Sequence, residues 1–265
     1  MKKIFYTGLA IFAIGLVLLG TLFATGKFDI TSLSNMDHDI PFFSFNLGFL
    51  YDNHYEEYNE TFTDIKEIHV SGDIAEVEYL VSYDDKFHVE AKLYNNDQII
   101  VNTQTLGNLS IHLSNGRSIS RHKVSIIKIY IPKDVVVDVV DIQNSMAEIK
   151  ISNIKTNYLK INSSMASVTI KQAEVNQLEV DMSMVDFYFN GLIHERAHIT
   201  NDMGNIELRL DNDESEVGYY VENSMGNVVV GNKKHTGFNG SMHENEHAPV
   251  FLEIKNSMGN IEIYF

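Results

Sequence analysis

One ten-residue pattern recurs six times in the second half of the chain. The copies are Ile142–Ile151 (IQNSMAEIKI), Ile161–Ile170 (INSSMASVTI), Val180–Phe189 (VDMSMVDFYF), Ile199–Leu208 (ITNDMGNIEL), Val221–Val230 (VENSMGNVVV) and Ile254–Ile263 (IKNSMGNIEI). Their methionines, Met146, Met165, Met184, Met203, Met225 and Met258, are separated by 19, 19, 19, 22 and 33 residues. A unit this short cannot bury an apolar face alone. It must stack on copies of itself, and a fixed period near 20 signals a solenoid. The longer gaps come last and read as loop insertions on one face.

Inside each unit the period is two. Leu159 and Ile161 alternate with Lys160, and Val168 and Ile170 alternate with Thr169. Strands send alternate side chains to opposite faces, so the aliphatic residues point inward. The residue after each methionine is Ala147, Ala166, Val185, Gly204, Gly226 or Gly259, mostly small, as a corner with close backbone approach requires. The expected fold is all-β, a single-stranded β-helix with coils of about 19 residues. Residues 141–265 are its regular repeats, and residues 62–140 an irregular cap with the first coils. In that cap Ile68–Tyr79 reads as a weak first copy. Phe87–Leu93, Gln98–Thr103, Leu109–Leu113 and Val124–Ile131 alternate, with turns at Asn95-Asn96-Asp97 and Ser114-Asn115-Gly116. No useful helical periodicity occurs beyond the N-terminal segment.

Stacked coils place equivalent residues in columns. The methionines form one, and Asn144, Asn201, Asn223 and Asn256 part of another. Alternation puts the methionines inside, where flexible thioethers fill irregular corners of a core. Thioethers also favour Cu(I), but core packing already accounts for the position. On that placement Met165→Asp would bury a charge at a cost of several kcal/mol. The asparagines are expected to hydrogen-bond along the stack, as polar ladders do.

Residues 1–26 set the address. Lys2 and Lys3 precede an uncharged run of 23 residues, Ile4 to Gly26. About 20 helical residues cross a bilayer, and N-terminal lysines keep that end in the cytoplasm. A transmembrane anchor is the expected reading. A cleaved signal peptide competes, with Ala24-Thr25-Gly26 as its cleavage site, and would make the protein secreted. Either way the remaining chain is extracytoplasmic, with 18 cationic against 36 anionic side chains. That balance argues against nucleic acid as a partner. Residues 27–61, with Phe42, Phe43, Phe45, Phe49 and Tyr51, read as an aromatic tether that packs on the domain or lies at the membrane interface. The chain has no cysteine, which excludes disulfides, thiolate chemistry and a lipoprotein anchor.

The opening strand Ile68-His69-Val70-Ser71-Gly72, the strand ending Ile129-Tyr130-Ile131-Pro132, and the later Asn-Ser-Met-Gly units share an order. It resembles the bacterial putative-adhesin repeat family, a domain of unknown function in cell-envelope proteins that include LiaG-like members. The resemblance covers about residues 62–265. It implies a β-helix on the cell surface, in some members linked to envelope stress, and carries no catalytic residues. The family pattern commonly has Gly at the corner. Ala147, Ala166 and Val185 depart from it, which implies tighter packing there.

Two zinc-protease patterns occur, His194-Glu195-Arg196-Ala197-His198 and His243-Glu244-Asn245-Glu246-His247. The chemistry needs a helix, so that i and i+4 share a face. The repeat register sets the first on a strand, where residues four apart lie about 13 Å apart. The second falls in the 33-residue gap and reads as a solvated loop. His243 and His247, helped by His235, are the weak metal candidates; no cofactor is expected. Asp181, Asp186 and Asp202 lie near successive corners and would serve Ca²⁺ or a carbohydrate-active enzyme if they converged. The expected function is a non-enzymatic, adhesin-like or envelope-stress module, held by its N-terminal helix, whose partner is an envelope polymer or protein. A β-helix enzyme using the acidic corners is the alternative.

Overall fold

The computed structural model describes residues 55–103, 107–116 and 123–265. The anchor segment 1–26 lies outside the described residues, as does the tether up to residue 54. Among the described residues no helix is long and apolar enough to cross a membrane. The architecture is all-β, apart from a 3-10 turn at Glu214–Glu216.

The strands are β1 (Glu56–Phe62), β2 (Glu67–Ser82), β3 (Phe87–Leu93), β4 (Gln98–Asn102), β5 (Asn108–Ser114), β6 (Ser125–Pro132) and β7 (Val137–Ser152). They continue with β8 (Lys155–Met203), β9 (Ile206–Leu210), β10 (Val217–Val230), β11 (Lys233–Glu244), β12 (Val250–Met258) and β13 (Ile261–Tyr264). All join one sheet. β1 covers the end of the stretch read as a tether.

β7 and β8 pair in parallel at a constant offset of 19, from Val137↔Thr156 to Ser152↔Lys171. Within the 49-residue β8 the same offset persists in side-chain bonds, Lys160 to Glu179 and Thr200 to Asp181. Through β7 and β8 each coil therefore lies on the one before, and the side chains that meet are equivalents. Ile142, Ile161, Val180, Ile199, Ile254 and Val221 make one aliphatic column. Ile149, Val168, Phe187, Ile206, Ile261 and Val228 make a second. All twelve are buried. Burying each such side chain contributes about 1.5–3 kcal/mol. β2 joins the same columns, with Val70↔Ile142 and Val77↔Ile149.

The coils are not stacked in chain order. The end of β8 pairs with β12, and β12 pairs with β10. The last coil thus lies between two earlier ones. This also explains the 33-residue gap, which is not a loop insertion. β11 first runs antiparallel along β10 and covers that end of the stack. Only then does the chain turn back to insert β12. At the other end β5 and β6 pair with successive halves of β2. Antiparallel β4 covers β5, and β3 with β1 covers β6. Antiparallel covers at both ends keep the parallel stack from offering a bare edge.

The methionine column lies outside the core. Met146, Met165, Met184, Met203, Met225 and Met258 are 37–49% exposed. The placement fails because the two aliphatic columns are seven residues apart, as Ile142 and Ile149 are. Seven is odd, so alternation cannot run unbroken between two residues that both face inward. The corner absorbs the extra residue, and each methionine and the residue before it turn out together. Ile161→Asp is expected to lower stability by at least about 4 kcal/mol, since it buries an unpaired carboxyl. Met165→Asp should change it by no more than about 1 kcal/mol, as an exposed substitution. Urea unfolding of both variants checks the pair.

Candidate functional site

The corner is held by a three-part contact that recurs up the stack. Two residues before four of the six methionines, a buried asparagine donates its side-chain N–H to a backbone carbonyl of the preceding coil. Asn144 donates to Ala75 O (2.8 Å), Asn201 to Val185 O (2.9 Å), Asn256 to Gly204 O (3.0 Å) and Asn223 to Gly259 O (2.8 Å). These asparagines bond backbone, not one another. Ser163 and Met182 fill the same position in the two remaining coils, both buried.

The same carbonyls press on the next corner. A Cβ on Gly259 would sit 1.9 Å from Gly204 O, and one on Gly204 would sit 2.0 Å from Val185 O. Both glycines have positive φ, +133° and +128°, which L side chains rarely adopt. A single carbonyl oxygen thus accepts the asparagine amide and excludes any side chain from the glycine below it.

A separate ladder runs two residues past the methionine. Asn205 donates its backbone and side-chain N–H to Asp186 Oδ1 at 2.9 and 3.1 Å. Asn260 does the same to Asn205 Oδ1, and Asn227 to Asn260 Oδ1. This is the side-chain ladder expected of the other asparagines. It follows spatial order, so the inserted coil sits in its middle.

Beside the exposed corner a groove of about 530 Å³ crosses several coils. Ser71, His112, Gln143, Asn162, Ser164 and Asp181 line it. Ser71 Oγ and His112 Nδ1 are 2.9 Å apart. Asn115 closes one end by bonding both Ile74 N and Ile74 O, at 2.9 and 3.1 Å. The lining offers hydroxyls, amides, one imidazole and two carboxylates, Asp73 and Asp181. None of these except Asp181 stood out in the sequence. Ser71 and His112 are 41 residues apart, and only the β2–β5 pairing brings them together.

The acidic corner residues do not converge. Asp181 accepts from Thr200 Oγ1 at 2.8 Å, and Asp186 holds Asn205. Asp202 is exposed beside Met203. Among the described residues no three His, Cys, Asp or Glu side chains form a metal-holding group.

The first zinc-protease pattern lies wholly on extended chain, the second only at its first two residues. In β8, His194 faces Glu174 at 3.1 Å, and His198 faces Glu253 at 3.2 Å on β12. The Glu174 carboxyl is held below its ordinary range by Lys155 first, then His194. Glu253 is lowered by Lys255 first, with help from His198. Each histidine is thus turned to a different carboxylate. In the second pattern His243 and Glu244 belong to β11, where a solvated loop was expected. Glu244 bonds Lys233 and, at 2.7 Å, accepts from the Tyr219 hydroxyl. Both pull its carboxyl below the usual range, Lys233 more strongly. A general base needs the opposite shift. His247 lies beyond the strand, before Pro249.

No family model matches this chain, and no curated protein sequence matches it. Solved structures do show a likeness in chain path. One is a putative cell adhesion protein from Clostridium sporogenes ATCC 15579, 11% identical, covering 80% of this chain and 99% of its own, with a TM-score of 0.45. Another is a putative adhesin from Bacteroides fragilis NCTC 9343, 11% identical over 80% of this chain and 98% of its own, TM-score 0.35. A putative lipid binding protein from Parabacteroides distasonis ATCC 8503 is 14% identical over 80% and 94%, TM-score 0.34.

The corner contact yields a graded expectation. Asn256→Ala leaves a buried carbonyl short of a partner and should cost about 1–3 kcal/mol. Gly259→Ala adds a clash and a strained φ, about 2–5 kcal/mol together. Thermal melts of the two variants would show the glycine change as the larger loss.

Proposed function

We propose that the strands form a β-solenoid of about 19-residue coils that works as a non-enzymatic surface module outside the cell membrane. Residues 1–26 are its single-pass anchor, with the C-terminal domain extracytoplasmic. The ligand we assign to the groove is an uncharged, hydroxyl-rich envelope polymer such as a neutral glycan. The observation that carries this is the lining itself, in which hydroxyls and amides outnumber the carboxylates Asp73 and Asp181. Amides and hydroxyls both donate and accept, which suits polyhydroxy ligands. The excess of negative charge on the exported chain disfavours an anionic polymer. Adhesin-like attachment and an accessory role in envelope stress are both compatible with such a module, and the second rests on the family resemblance alone.

The alternative, a carbohydrate-cleaving enzyme, requires two carboxylates flanking the scissile bond, at about 5–5.5 Å or 6.5–9.5 Å. Asp181 and Asp186 each commit Oδ1 to the next coil, to Thr200 and Asn205.

Full-length protein in detergent micelles, assayed against neutral and anionic glycan arrays, tests the reading. Binding to a neutral glycan is expected, and Gln143→Ala with Asn162→Ala should weaken it by about tenfold, near 1.4 kcal/mol. Release of reducing ends, abolished by Asp181→Asn, would establish the enzyme instead.

A further inference from the structure

Most positions of the repeated corner have a structural task. The asparagine two before the methionine bonds the preceding coil, and the glycine after it avoids that coil's carbonyl. The asparagine after the glycine continues the side-chain ladder. The methionine has none of these tasks. It is close to half exposed in all six coils, so neither burial nor a hydrogen bond requires it. Most side chains would satisfy the fold there, yet the same thioether stands at every rung.

The rungs are consecutive. Met146 is level with Met165, Met203 with Met258, and Met258 with Met225. Met184 lies 19 residues from both Met165 and Met203, on the same coil offset. In space the order is Met146, Met165, Met184, Met203, Met258, Met225. The column continues into Ile74 at one end and the exposed Phe238 at the other, so both flanks are apolar.

Neighbouring strands stand about 4.8 Å apart. A metal–sulfur bond is about 2.3 Å. Two thioethers on adjacent rungs therefore reach one ion between them with no change in the backbone. Thioether sulfur is a soft, neutral ligand that selects Cu(I) over Zn²⁺, Ca²⁺ and Mg²⁺. The anionic exported chain raises the local concentration of any cation.

We propose that the exposed methionine column is a Cu(I)-binding site, in which each ion is held by the sulfurs of two or three successive rungs. Six rungs then accommodate about two or three ions per chain. The six methionines do not line the groove, although Ser145, Ser164 and Ser183 just before three of them do.

The test is an anaerobic Cu(I) titration of the full chain in detergent, against a competing chelator, with X-ray absorption to identify the ligands. Ag(I) serves as a redox-silent second probe. Uptake of about two or three ions with a sulfur shell is expected. Changing all six methionines to leucine keeps the apolar volume and removes the sulfur. That variant should keep its circular dichroism and lose more affinity than the 10–100-fold that outer-shell changes cost. A shell of nitrogen and oxygen in the unaltered chain would overturn the proposal, whatever the variant's fold. Equal Cu(I) affinity in the leucine variant, which would leave the column as an apolar contact surface only, would overturn it too.

Discussion

In the later coils one backbone carbonyl, of Val185, Gly204 or Gly259, governs the next corner. It lies just past the methionine, accepts the asparagine amide of the next coil, and stands where a Cβ of that coil's glycine would go. An unpaired buried carbonyl costs about 1–3 kcal/mol, so asparagine is strongly favoured. The carbonyl and the positive φ together leave glycine as the residue that fits. In two of the three corners without glycine, the asparagine is replaced as well; the Met146 corner keeps Asn144 beside Ala147. Val185 follows Met184 and Met182 takes the asparagine's place, both buried. Ala166 likewise goes with Ser163. At the Met184 corner, buried Met182 and Val185 put apolar packing in place of the hydrogen bond.

The period, the strand identity and the aliphatic columns were legible because they are local. Ile161, Val168 and Ile170 announce their faces within ten residues. The outward turn of the methionines was also present, in the odd separation of Ile142 and Ile149, but it shows only when both flanking strands are phased together. The stacking order was not legible. The units ending in Ile199–Leu208, Val221–Val230 and Ile254–Ile263 are so alike that any could lie on any other. What decides the order is the capping strand β11, whose pairing with β10 leaves the last coil to enter between β8 and β10. The groove was hidden for a similar reason, since His112 reaches Ser71 only through the β2–β5 pairing.

The short motifs illustrate how backbone geometry decides chemistry. Histidines four apart share a face on a helix and stand about 13 Å apart on a strand. His194 and His198 accordingly meet Glu174 and Glu253, on opposite neighbouring coils. The same stacking that separates residues along a strand gathers equivalents across coils. In this fold a site is built from one residue type repeated at one corner position, more readily than from a motif within one strand.

That cross-coil order is directly measurable, because the chain has no native cysteine. A disulfide requires Cα atoms about 4.4–6.8 Å apart. Met203 and Met258 are register partners despite 54 intervening positions, whereas Met203 and Met225 are separated by the inserted coil. Mild oxidation of the double variant Met203→Cys/Met258→Cys should give a rapid, near-complete intramolecular disulfide. Met203→Cys/Met225→Cys, at about 9.6 Å or two strand spacings, should remain reduced. Efficient crosslinking of the second pair and not the first would mean that the coils stack in chain order, and would contradict the account.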